Sequence, residues 1–159
     1  MTGLIDWVEQ AALENIRFHL QVTETLAKEA ASTLILLLAG MGGALAYAVK
    51  GFEQATLTSL AVGAGMLSAW LMVVGCLLVI KCLLSTWLYA PTNEPKNLYQ
   101  KDYSLDEMHE AELRNMQVRI EQVIMRNHRV AAWLDRSRLL ALASPVVFVI
   151  AAAFSWVAR

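Results

Sequence analysis

The chain has 159 residues, a net charge of −1 and 57% apolar residues, against roughly 45–50% for a soluble domain. Every Asp, Glu, Lys and Arg falls outside three uncharged windows, 30–49, 54–80 and 139–158. A soluble helix needs one apolar stripe and scatters charge along its length, whereas uncharged runs of about 18 residues or more are the mark of helices that cross a bilayer. A soluble globular enzyme is therefore excluded as the starting expectation. The fold class expected is an all-α integral membrane protein. It has three transmembrane helices, an N-terminal amphipathic helix, and a long cytosolic helix continuing into the third span.

Residues 1–29 read as a cytosolic amphipathic helix. Leu4, Trp7, Val8, Ala11, Phe18, Val22 and Leu26 recur at helical spacing, with charges between them. The segment holds five acids and two bases, whereas helices that bind anionic lipid carry basic faces. Its apolar face is thus expected to dock on the protein's own cytosolic part, with Trp7 and Phe18 at the headgroup level as the alternative. The N-terminus lacks a basic n-region, so no cleaved signal peptide is expected.

Residues 30–89 are expected to form a transmembrane hairpin, with spans at about 31–49 and 55–80 joined by Lys50-Gly51-Phe52-Glu53-Gln54. The second span can run on through Lys81, whose ammonium would snorkel outward, to Trp87 and Tyr89. Pro91 and Pro95 stop it, because proline lacks the donor and restricts its predecessor. Cys76 and Cys82 stand six apart on different helix faces, so no disulfide framework is expected. Gly40, Gly43 and Ala44 cluster in the first span, and Ala61, Gly65 and Ala69 recur every four residues in the second. Small residues let backbones approach closely, which drives helix association in lipid. That pattern fits a tight hairpin and a contact between copies, on one face each.

Residues 90–103 read as linker, and 104–138 as the cytosolic helix. Ser104 followed by Glu107 is a capping box. Leu113, Ile120, Asn127 and Leu134 are spaced by seven, with Met116, Val123 and Val130 at the companion position. This is the seam of a coiled coil or helical bundle, and a single Asn within it fixes register. Self-association and packing on the N-terminal helix both satisfy the pattern. Arg126, Arg129, Arg136 and Arg138 are ordinary membrane-flanking charges or contacts to a phosphate. The third span occupies 139–158, kinked by Pro145.

Residues 1–29 and 81–138 together hold eleven Lys and Arg, and Lys50 and Arg159 are the other two. The positive-inside rule therefore puts the N-terminus and the long loop in the cytoplasm and the C-terminus in the periplasm. No ionisable residue lies in the middle of a span, which argues against carriers and proton pumps. His19, His109 and His128 match no metal spacing, and no P-loop, GxSxG, CxxC or HExxH occurs. No enzyme, cofactor or metal is expected. Eight acids in the long loop argue against nucleic acid.

A hairpin of spans 31–49 and 55–80 followed by a long helix through 127–138 resembles the small transmembrane effectors of bacterial anti-phage signalling systems, the SLATT-type proteins among them. The third span is additional to their two-span layout. The resemblance implies a homo-oligomer that breaches the inner membrane when triggered, gated by its cytosolic helices. The partners it implies are the lipid bilayer, further copies of the chain, and a cytosolic signalling protein or nucleotide ligand. The alternatives are a structural subunit of a secretion or conjugation assembly, or a phage holin. Three-span holins place the N-terminus outside with short connections, the reverse of the arrangement expected here.

Overall fold

The computed structural model describes residues 2–53, 58–84 and 103–158. Among these, all regular structure is helical: α1 (Thr2–Glu53), α2 (Ser59–Leu78) followed by a π-helical turn (Val79–Leu83), α3 (Leu105–Leu142) and α4 (Ser144–Val157). Three stretches are long and apolar enough to cross a membrane: Gly3–Glu53, Ser59–Leu83 and Leu105–Val157.

The amphipathic segment and the first apolar run are one helix of 52 residues. Leu26-Ala27-Lys28-Glu29-Ala30-Ala31 joins them, and every one of these is a strong helix former. At the start of α2, Thr58 caps the helix by accepting a hydrogen bond from the Ala61 amide at 3.2 Å. Lys50, Gly51, Phe52 and Glu53, expected in the connection, are instead the last residues of α1, because nothing before Gln54 stops the helix; Gln54, the expected start at Ala55, the tail 85–89 and the linker up to 102 lie outside the described residues.

The long helix does not continue unbroken into the third apolar run. A turn at Ala143 separates α3 from α4, two residues before Pro145. Proline has no amide proton and its ring crowds the carbonyl one turn back, so the regular ladder stops there. The Ala143 carbonyl instead accepts from both Val146 and Val147, at 3.1 and 3.3 Å. One carbonyl beside the break, Leu140, takes the Trp70 indole Nε1–H at 3.1 Å.

The chain forms two compact units: Met1–Leu26 with Ser85–Arg129, and Ala27–Leu84 with Val130–Arg159. In the first, α1 and α3 run side by side in the same direction. Ile5 and Glu9 share a cavity with Leu105–Met116, and four turns further on Thr23 meets Asn127. Ile16 and Thr23 of α1, seven apart, and Met116, Ile120, Val123 and Asn127 of α3 are all buried. The heptad spacing on both helices is the geometry of a parallel coiled pair.

In the second unit α2 runs antiparallel to its neighbours. On α1, Ser68 donates to the Met41 carbonyl at 3.2 Å. On α3, Cys82 Sγ lies 3.7 Å from the Val130 carbonyl. Ala30, Leu37 and Ala48 of α1, Ala61, Ala64, Leu71, Val74 and Leu78 of α2, and Val130 and Leu134 of α3 form its interior. The outer surface is just as apolar. Leu36, Met72, Val149, Phe154 and Trp156 are exposed, and α4 buries no residue at all.

Candidate functional site

The buried seam is the most organised feature of the first unit. Met116, Ile120, Val123 and Asn127 are buried there and Leu113 half-buried; Val130 and Leu134 are buried in the second unit. Up to Asn127 the face across from this seam is the chain's own α1, whereas the Val130 carbonyl meets Cys82 of the π-helical turn. Asn127, 6% exposed, donates from Nδ2 to the His19 carbonyl at 2.9 Å and accepts at Oδ1 from the Thr23 hydroxyl at 2.8 Å. Thr23 Oγ1 also lies 3.0 Å from the His19 carbonyl. A hydroxyl has one proton, and Asn127 already serves that carbonyl, so the proton belongs on Oδ1. The reverse amide orientation would set Oδ1 against the carbonyl oxygen, so the contacts define it.

A second polar contact lies two turns earlier. Arg119 and Glu112 pair at 3.2 Å, with only 11% and 14% of their side chains exposed. At the start of α3, Ser104 and Glu107 form the expected capping box. The hydroxyl and amide of Ser104 reach Glu107 Oε2 at 2.7 and 2.9 Å. These bonds favour the charged form and hold the Glu107 carboxyl below its usual range, the hydroxyl contact contributing most. Between the starts of α1 and α3 lies a cavity of about 250 Å³ lined by Ile5, Glu9, Met108, His109, Leu113 and Met116.

The face of α1 expected to dock is not the one that does. Trp7 and Phe18, 66% and 59% exposed, point outward with Leu4 and Val8, while Ile16 is fully buried. Helical spacing defined an apolar stripe, but large aromatics drew it to one side and the seam follows Ile16 and Thr23.

The small residues sort by face. A Cβ at Gly40 would meet Leu71 Cδ1 at 3.3 Å, and one at Gly65 would meet Ala48 at 3.9 Å. Ala61 is buried and Ala44 half-buried, so these four line the hairpin. Gly43 has nothing within 4 Å, nor has Gly42 beside it, and Ala69 is exposed. The tightest approach is at a small residue of the second span that lies outside the four-residue stripe. At Gly63 a Cβ would lie 3.1 Å from both the ring and the carbonyl oxygen of Phe148, and 3.2 Å from Ala152.

The four arginines do not converge. Arg126 is half-buried and Arg129 exposed in the first unit. In the second, Arg136 lies 5.1 Å from the centre of the Trp133 ring. Arg138 pairs with Glu29 at 2.8 Å and more loosely with Asp135 at 3.9 Å. Among the described residues no three His, Cys, Asp or Glu side chains group to hold a metal ion. No family model, curated protein or solved structure matches the chain.

Proposed function

We propose that this chain is a non-catalytic inner-membrane protein that assembles with copies of itself and breaches the membrane when its cytosolic helix pair is engaged. The apolar outer surface of the second unit supports insertion through α1, α2 and α3–α4, because exposed Leu36, Met72, Val149 and Phe154 suit lipid and not water. The charge asymmetry supports an N-terminus in the cytoplasm and a C-terminus in the periplasm.

The observation that carries assembly is the division of the glycines. Gly40 and Gly63 are spent on contacts within the chain, whereas Gly42 and Gly43 open a smooth notch on the outer face of α1. Close helix approach is the main attraction available between copies in lipid. The α1–α3 pair, keyed by Thr23 and Asn127, is the element a cytosolic signalling protein or nucleotide would engage. Both helices continue without interruption into the apolar runs or up to the turn at Ala143, which provides the mechanical route.

Membrane potential in cells, followed with a voltage-sensitive dye on induction, tests this reading together with size analysis of the purified protein. Wild type is expected to depolarise the membrane and purify as an oligomer, and Gly43→Leu to do neither while keeping its helicity. A wild-type monomer that leaves the potential intact would overturn the reading in favour of a structural subunit.

A further inference from the structure

The charged-to-apolar boundary of the second unit holds an arrangement that the packing does not need. The last turn after α2 is π-helical, and a π turn shifts side chains out of the register the preceding helix sets. The turn is docked on α3 through Cys82, whose Sγ approaches the Val130 carbonyl at 3.7 Å. One turn further along α3 stands Trp133, half-buried. The docked turn places Lys81 Nζ 5.4 Å from the centre of the Trp133 ring, and Arg136 approaches the same ring at 5.1 Å. Two cations from different elements are thus gathered around one indole.

The nearby carboxylates do not neutralise them. Glu29 and Asp135 both go to Arg138. Among the described residues neither Lys81 nor Arg136 has a carboxylate within ion-pair distance. Exposed cations do not require an acid, but two drawn to one aromatic ring from different elements concentrate positive charge at one place on the surface. A phosphodiester suits such a cluster, because it spreads one negative charge over two non-bridging oxygens that both lysine and arginine can serve. The surroundings decide its source. Lys81 is preceded by exposed Ile80, and exposed Leu139 follows Arg136 by three residues, on the same face of α3. Apolar surface beside a paired cation suits an acyl chain beneath its headgroup, and offers nothing to free phosphate.

We infer that Lys81, Trp133 and Arg136 bind the phosphate of an anionic phospholipid, its acyl chains lying along Ile80 and Leu139. The inference rests on the membrane reading above. The full chain, purified in detergent, is titrated with phosphatidylglycerol, with phosphatidylcholine and, separately, with inorganic phosphate, and bound lipid is read by native mass spectrometry. Wild type is expected to retain phosphatidylglycerol over phosphatidylcholine. Lys81→Gln/Arg136→Gln is expected to lose about tenfold of that preference. Trp133→Phe should keep most of the preference, since the ring remains, and Arg114→Gln, a distant charge removal on the same helix, should keep all of it. An unchanged double variant, an equal loss with Arg114→Gln, or competition by millimolar inorganic phosphate would overturn the site. Alkaline carbonate washing of membranes separates the two claims. A chain that washes off fails the membrane reading, whereas one that stays yet shows no preference fails only the lipid site.

Discussion

Thr23 and Asn127 stand 104 residues apart in the chain and share a 2.8 Å hydrogen bond inside the first unit. Asn127 is buried at a heptad position of α3 and Thr23 at one of α1. A lone polar residue in a coiled seam selects register, since any slip leaves it without a partner among apolar neighbours. The hydroxyl and the His19 carbonyl fill that role here, so the register is specified within one chain and needs no Asn from a second copy.

Replacing one member of this pair is expected to cost more than replacing both. Asn127→Leu removes both hydrogen bonds between α3 and α1 and leaves the Thr23 hydroxyl only the His19 carbonyl of its own helix, 3.0 Å away, so it should destabilise the fold by about 1–3 kcal/mol. Thr23→Val/Asn127→Leu should recover most of that loss, because an apolar pair of similar shape leaves fewer polar groups unpaired. Denaturant melts of the single and double variants measure the coupling. Strict additivity would mean that the contact does not hold the register.

The glycines are expected to separate folding from assembly. Gly63→Ala pushes a methyl against the Phe148 backbone, which has no easy escape, and should lower stability by about 1–3 kcal/mol. Gly43→Ala meets open space and should change it by less than about 0.5 kcal/mol. Thermal unfolding in detergent compares the two. Equal losses would place a neighbour against Gly43.

Much of this was legible from residue spacing. Seven-residue recurrence from Leu113 to Leu134 marked a seam, because helix geometry repeats on that interval whatever lies opposite. For the same reason it could not name the partner, which for residues up to Asn127 is α1. The matching face of α1, where Leu13 and Leu20 flank Ile16 at helical spacing, is interrupted by polar His19 and Thr23, while Trp7 and Phe18 advertise the opposite side. Pro145 marked a kink in a continuous helix, whereas the structure ends one helix and starts another across Ala143. The π turn that brings Lys81 to Trp133 leaves no trace in composition or period. It is visible only once Cys82 is seen beside Val130.

The capping box predicts a local pH dependence. Glu107 has its folded pKa lowered by the Ser104 hydroxyl and then the Ser104 amide. A group whose pKa is lowered by folding stabilises above its unfolded value, about 4.3 for Glu, and that contribution is lost as pH falls through the lowered folded value. NMR shifts of residues 105–108 should therefore report fraying of the first turn of α3 below about pH 4. Ser104→Ala should fray it at neutral pH and remove the acid-dependent step. A first turn insensitive to both changes would show that the cap does not control it.

Accessibility of single cysteines to a membrane-impermeant reagent tests the central claim, a three-span chain with both ends of the α1–α3 pair's charged halves in the cytoplasm, most directly. In a background of Cys76→Ser/Cys82→Ser, Tyr103→Cys and Ala158→Cys place one thiol before α3 and one after α4, both at exposed positions. In intact spheroplasts Ala158→Cys should be labelled and Tyr103→Cys should react only after permeabilisation. Labelling of Tyr103→Cys without permeabilisation, with Ala158→Cys protected, would contradict the account.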